Sequence, residues 1–355
     1  MRRRFQCALV ISVLQLTGWA GAQATPKAAL LALSKQDHTL AIVDPVDLHV
    51  VARIPVGDDP HEVVASADGK TAYVSNYGFG AFHTLAVIDL VGQKRLASID
   101  LGALRGPHGL DFELGKVWFT AEAAKAIGSY DPASGKIDWI MGTGQDRTHM
   151  LYVFPDGKRI LTTNVNSATV TILNKTEGRV GGPPPGMPPG PPPGAGGPPP
   201  GPIPTPPGGD WQLTVIPVGS GSEGFDVSPD GKEAWVANAG DGTVSVIDIA
   251  AKTVTATLAV NVPGANRLKF TPDGKQVLVT AGSALVILEA ATRNEVKRLA
   301  TVHGSGGIQM QPDGARAYVA CGRDGYVAVI DLKTLEMVGH VEVAGPDGLA
   351  WAGRR

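Results

Sequence analysis

Seven stretches of this chain can be laid on one another at a spacing of roughly 40–47 residues, one of them lengthened by an insertion. Such a period constrains the fold strongly, because a unit that short cannot bury a core alone and must stack on copies of itself. The punctuation is a Pro-Asp-Gly-Lys turn or a close variant: Ala67-Asp68-Gly69-Lys70, Pro155-Asp156-Gly157-Lys158, Pro229-Asp230-Gly231-Lys232, Pro272-Asp273-Gly274-Lys275 and Pro312-Asp313-Gly314-Ala315. The second repeat carries a shorter Glu113-Leu114-Gly115-Lys116. The seventh is placed by matching Pro346-Asp347-Gly348-Leu349 to Pro107-His108-Gly109-Leu110.

Each repeat holds four short segments with the two-residue alternation of strands. In the repeat opening at Glu223 they run over residues 224–228, 233–238, 243–249 and 253–260. An Asp or Asn closes the third segment at Asp44, Asp89, Asp131, Asn174, Asp248 and Asp331, where its side chain can bond the backbone two residues on and start a turn. No segment has a convincing amphipathic helical period. Four-stranded units repeated seven times predict an all-β, seven-bladed β-propeller. The N-terminal segments 30–33, 40–44 and 49–54 lack a first strand, and residues 348–351 are a first strand without the other three. Pairing them makes one blade from both termini and leaves no open sheet edge.

Residues 1–24 read as a secretory signal peptide, with a basic start, a short apolar run and cleavage near Ala24. The apolar run is shorter than the roughly 20 residues of a membrane span. Export to the periplasm or medium follows, with the propeller over residues 25–355. The mature chain keeps one cysteine, Cys321, so no internal disulfide forms. With 31 basic and 33 acidic residues, the chain has no electrostatic footprint for nucleic acid. Residues 181–209, with 15 Pro and 10 Gly, are expected to be a disordered or polyproline-II loop inserted between the third and fourth strands of one blade. They read as a tolerated insertion rather than a docking ligand.

The first strand of a blade is innermost, so residues that open the repeats should ring one mouth of the central channel. That column is His61, His108, His149, Glu223, Asn266, Gly306 and Asp347. The composition would place only about 0.16 histidines in seven positions. A second column, six residues after the Lys position of each turn, reads Asn76, Glu122, Asn164, Asn238, Ala281 and Cys321. Asp347, Asn76, Glu122, Asn164 and Asn238 are therefore candidate ligand-binding residues at the same face. Two chemistries fit. His61, His108 and His149, with Glu223 or Asp347, could hold one divalent metal ion such as zinc or copper, since neutral imidazoles with an open position activate bound water. Alternatively, without a metal, His108 or Glu223 serves as a general base while Arg267 or Arg147 stabilises an oxyanion. Each imidazole could also merely cap a loop.

The segments Tyr73-Val74-Ser75-Asn76, Trp235-Val236-Ala237-Asn238 and Tyr318-Val319-Ala320-Cys321 follow Asp-Gly turns and precede strands such as Val244-Ser245-Val246-Ile247-Asp248. In this the chain resembles the YVTN-repeat β-propellers of bacterial surfaces and periplasms. More distantly it is similar to seven-bladed lactonases and to the haem d1 propellers of nitrite reductases. The absence of Cys-x-x-Cys-His excludes covalent haem. The resemblance implies an exported propeller that binds a small molecule or protein partner at its channel mouth. The lactonases imply the alternative of a metal-assisted hydrolase or lyase acting there.

Overall fold

A computed structural model describes residues 24–176, 210–261, 264–282, 284–300, 302–303 and 306–353. The expected signal sequence, up to residue 23, and the Pro/Gly-rich stretch 181–209 lie outside the described residues. The strands form seven sheets. Numbered by innermost strand in chain order, blade 1 comprises Pro60–Ala65, Thr71–Asn76 and Thr84–Asp89. Two short pieces, Lys94–Arg95 and Ile99–Asp100, make its outer edge. Blade 2 is Pro107–Glu113, Lys116–Ala121, Ala126–Asp131 and Lys136–Gly142; blade 3 is Thr148–Val153, Arg159–Asn164, Thr169–Thr176 and Asp210–Pro217. Blade 4 is Ser222–Val227, Glu233–Asn238, Thr243–Asp248 and Thr253–Ala259; blade 5 is Leu268–Phe270, Gln276–Ala281, Ala284–Glu289 and Glu295–Leu299. Blade 6 is Ile308–Met310, Arg316–Cys321, Tyr326–Asp331 and Glu336–Glu342. Blade 7 joins the C-terminal Pro346–Gly353 to Ala28–Ser34, Thr39–Val43 and Val50–Pro55, with Leu30 opposite Trp351 and Leu31 opposite Ala350. Innermost strands contact one another around the ring, blade 7 meeting blade 1.

Residue choice follows position in the blade. Middle strands are covered on both faces by neighbouring blades and read as apolar runs, as at residues 234–237 and 284–288. Outer strands have one wet face and alternate, as in Thr253–Ala259 and Glu336–Glu342. The core lies between blades rather than within them: Trp235, Val244 and Val246 of blade 4 pack with Val277, Val279 and Val286 of blade 5. The punctuation behaves as expected. Asp68, Asp230 and Asp273 each accept the backbone N–H two residues on at 3.1 Å, ahead of glycines with φ of 64–71°. Asp44, Asp131 and Asp331 do the same after the third strands, at 2.9 Å. The pairing of Thr176 with Asp210 places the Pro/Gly-rich stretch between the third and fourth strands of blade 3. No helix of the described residues is long and apolar enough to cross a membrane.

Candidate functional site

The opening column forms a ring because five of the blades set it the same way. His61, His108, His149, Glu223 and Asp347 are all the second residues of their innermost strands. A hydroxyl one residue before the end of the second strand locks several of them. Ser75 donates to the carbonyl of His108 at 2.8 Å, Thr120 to that of His149 at 2.8 Å and Thr163 to that of Glu223 at 2.7 Å, each reaching into the next blade. The same oxygens accept N–H groups from their own blades, at Glu62, Gly109 and Met150. Blades 4 and 6 carry Ala237 and Ala320 there. In those blades the N–H of Gly224 or Gly307 bonds the carbonyl of Asn266 or Asp347 directly, at 2.8 and 3.0 Å. Glycine follows the ring residue in four blades because the strands approach so closely: a Cβ on Gly109 would stand 2.4 Å from the carbonyl of His149, and one on Gly348 2.4 Å from that of His61.

The three histidines stack in order around the mouth, with ring centroids 4.7 Å apart for His61 and His108 and 3.9 Å for His108 and His149. Their environments differ. His149 is 1% exposed and clamped by two carboxylates, Nδ1 at 2.5 Å from Glu122 Oε1 and Nε2 at 2.7 Å from Glu223 Oε2. Burial alone would push its pKa down, but the two hydrogen bonds outweigh burial and raise it, which describes an imidazolium donating from both nitrogens. Glu223 is correspondingly held down to about 2: burial opposes ionisation, and His149, Arg267 and Arg147 overcome it. His61 is neutral. Burial lowers its pKa despite Asp347 and Asp59, and its Nε2 accepts from Lys35 Nζ at 2.6 Å. His108, between them, is 2% exposed, and burial together with its cationic neighbours holds it well below the ordinary range. Its Nδ1 has no hydrogen-bond partner among the described residues.

Around this core stand groups with fixed partners. Arg267 crosses the channel from blade 5, donating from Nη2 to Glu62 Oε1 in blade 1 at 2.9 Å and from Nη1 to Asn266 at 2.9 Å, with Glu223 at 3.6 Å. Arg147 pairs with Glu223 at 3.2 Å and lies 3.6 Å from Glu122. Tyr77 donates to Glu122 Oε2 at 2.6 Å and sets its ring edge-on to His61 and His108. Asp347 lies 3.5 Å from both His61 and Lys35.

The residues brought together differ from the set the sequence suggests. The buried group whose donor atoms all lie within 4.8 Å of one another is His108, Glu122 and His149. This group could hold a metal ion. His61 drops out because Lys35 occupies its Nε2. Glu223 instead accepts from the far nitrogen of His149, the supporting position for a metal-bound histidine.

The second column also needs correction. By strand register Ala121, opposite Pro107, is the equivalent of Asn76, opposite Pro60, and of Asn238, opposite Ser222. The shorter turn at Glu113 shifts the count by one, so Glu122 belongs with Tyr77 and Lys35, the first residues past the second strand. That column, two members of which sequence reasoning missed, is the one that meets the histidines. Glu122 is buried, and the nearby Lys125 pairs with Asp146 instead. Asn76 instead bonds carbonyls of Val56 and Asp58, while Asn164 and Asn238 bond hydroxyls of Thr169, Thr171, Thr243 and Ser245 in their own blades. Glu62 was also missed, since it carries no motif. His38, His83 and His303 are exposed and paired with Asp58, Asp100 and Asp324. Cys321 is fully buried, and its thiol is pushed up to about 12 by burial.

No family model and no curated protein matches this chain. Solved structures do. A functionally unknown protein from Desulfotomaculum acetoxidans has a TM-score of 0.69 at 13% identity, covering 92% of this chain and 99% of that one. A candidate 6-phosphogluconolactonase from Bacteroides fragilis has a TM-score of 0.67 at 17% identity, covering 93% and 99%. The dihydro-haem d1 dehydrogenase NirN, solved with its ligand DHE, has a TM-score of 0.60 at 15% identity, covering 92% and 75%. The chain has the seven-bladed β-propeller fold. Identities this low speak to fold alone.

Proposed function

We propose that this is an exported, YVTN-type binding propeller whose channel mouth takes a small polar ligand together with one divalent transition-metal ion, zinc or copper. The observation that carries the reading is His108: a buried imidazole, held neutral, with a nitrogen left unbonded beside Glu122 and His149. A neutral imidazole that burial keeps from protonating is ready to ligate. The proton between His149 and Glu122 stands where an ion would sit, and Glu223 would keep the other nitrogen of His149 oriented. Arg147, Lys35 and Asp347 rim the same space and suit a polar ligand. Asn76, Asn164 and Asn238 would support the loops of this mouth rather than touch the ligand.

The alternative is a metal-assisted hydrolase or lyase of lactonase type at the same site, favoured by the three-ligand His/Glu set, because a metal there would polarise a carbonyl and acidify water. Metal-free acid–base catalysis fits less well. Glu223, at about 2, is a weak base; His149 is already protonated; Arg267 is committed to Glu62.

Calorimetric titration of zinc and copper into chelator-treated protein tests the reading. One site is expected, lost in His108→Ala and Glu122→Gln and weakened roughly 10–100-fold in Glu223→Gln. His340→Ala, on the outer strand of blade 6, should bind as the parent does. A triple variant lacking His108, Glu122 and His149 that still binds metal like the parent would overturn it.

A further inference from the structure

Three residues beyond the mouth ring, the inner strands carry a second polar ring: Asp111, Tyr152, Asp226, Lys269 and Gln309 on five consecutive blades. They line one cavity in the channel of about 340 Å³, within the range of small-molecule sites. Arg267 and Glu62 line its upper end, so their bridge separates it from the histidines.

The charges of this ring do not balance. Asp226 is fully engaged, accepting from Lys269 Nζ at 3.0 Å and from the N–H of Phe270 at 2.9 Å. Asp111 accepts the N–H of Val153 at 2.8 Å and forms no ion pair among the described residues. Burial raises its carboxyl to about 6, with Lys269 too committed to offset it. Two carboxylates thus face one ammonium. Gln309 donates its amide to the carbonyl of Met310 at 2.8 Å, which leaves its amide oxygen as an acceptor toward the cavity. Phe112, Phe225 and Trp351 supply aromatic wall. An acceptor-rich, net-negative cavity with aromatic sides suits a cation that also has apolar surface. A small inorganic ion would find too few oxygen ligands here.

We propose that the lower channel is a second binding site, for a small organic ammonium ion whose charged end meets Asp111 and the Gln309 oxygen while its apolar part lies on the aromatic wall. This goes beyond the mouth site and uses none of its ligands.

The test is calorimetric titration of n-butylammonium chloride at pH 7.5, with 1-butanol as the uncharged control. The parent should bind the amine and not the alcohol. Asp111→Asn, which can still accept the Val153 N–H, should bind at least about ten-fold more weakly, the scale of one lost charge-assisted hydrogen bond. His108→Ala should bind like the parent. No binding by a folded parent at millimolar amine, or undiminished binding by Asp111→Asn, would overturn the proposal. Loss in His108→Ala with retention in Asp111→Asn would move the amine to the mouth and equally refute it.

Discussion

Arg267 ties opposite sides of the channel through Glu62, and replacing it with methionine gives a demanding test of how the site is held. Methionine keeps much of the stem's apolar bulk but no charge. The loss falls unevenly. Glu223 retains His149 and Arg147, whereas Glu62 loses its only ion-pair partner among the described residues. Burial already raises the Glu62 carboxyl against the pull of Arg267. Breaking a buried pair from one side costs about 3–5 kcal/mol, because an uncompensated charge stays behind. Glu62 would then take up a proton, and its raised folded pKa means that stability is present at low pH and lost as pH rises. The deficit against the parent should therefore be largest near neutrality and narrow toward the ordinary Glu range, about 4.3. Adding Glu62→Gln should recover part of the loss, with a coupling of about 1–3 kcal/mol. Urea unfolding followed by tryptophan fluorescence at two pH values measures all of this. A single variant within about 0.5 kcal/mol of the parent, or a strictly additive double variant, would refute the claim that this bridge holds the channel.

Thr120→Val removes the hydroxyl that links Gly109 N–H to the His149 carbonyl; a loss of about 1–3 kcal/mol is expected by denaturant titration. Thr214→Val, on an outer strand, should cost far less. Acidification should destabilise the mouth as pH falls from the ordinary Glu range toward 2, because Glu223 is ionised in the fold down to about 2; Glu223→Gln should flatten that part of an acid-unfolding profile. Deleting the chain from Pro346 onward strips blade 7 of its inner strand and bares the edge of Ala28–Ser34, so light scattering should show aggregation. Asn238→Ala should lower stability through its lost bonds to Thr243 and Ser245 while leaving metal affinity within about two-fold, since those bonds stay in its own blade.

The fold was legible because each level of the sequence repeats the same instruction. Asp-Gly turns, Asp-closed third strands and apolar middle strands recur in register, and the termini complement each other within one blade. The ring of His61, His108, His149, Glu223 and Asp347 was legible for the same reason, as a column in a repeat. What lay beyond it depends on distances that a column does not carry. Glu122 was found but misaligned, since a shortened turn moved it one place. Lys35 and Tyr77 sit in that same loop column and would emerge from correct strand registers. Glu62 and Arg267 meet only across the channel, between blades 1 and 5, where sequence spacing holds no information. The partition of the three histidines into a neutral acceptor, a buried imidazole with an unbonded nitrogen and an imidazolium depends on burial and partners, which no motif encodes.

The central claim is that His108, Glu122 and His149 hold a metal ion at the channel mouth. Elemental analysis of the full-length protein, purified without chelators, tests it most directly. The account predicts about one zinc or copper per chain in the parent and in His340→Ala, and a content near zero in His108→Ala. Equal metal in parent and His108→Ala, or none in the parent even after exposure to both ions, would contradict it.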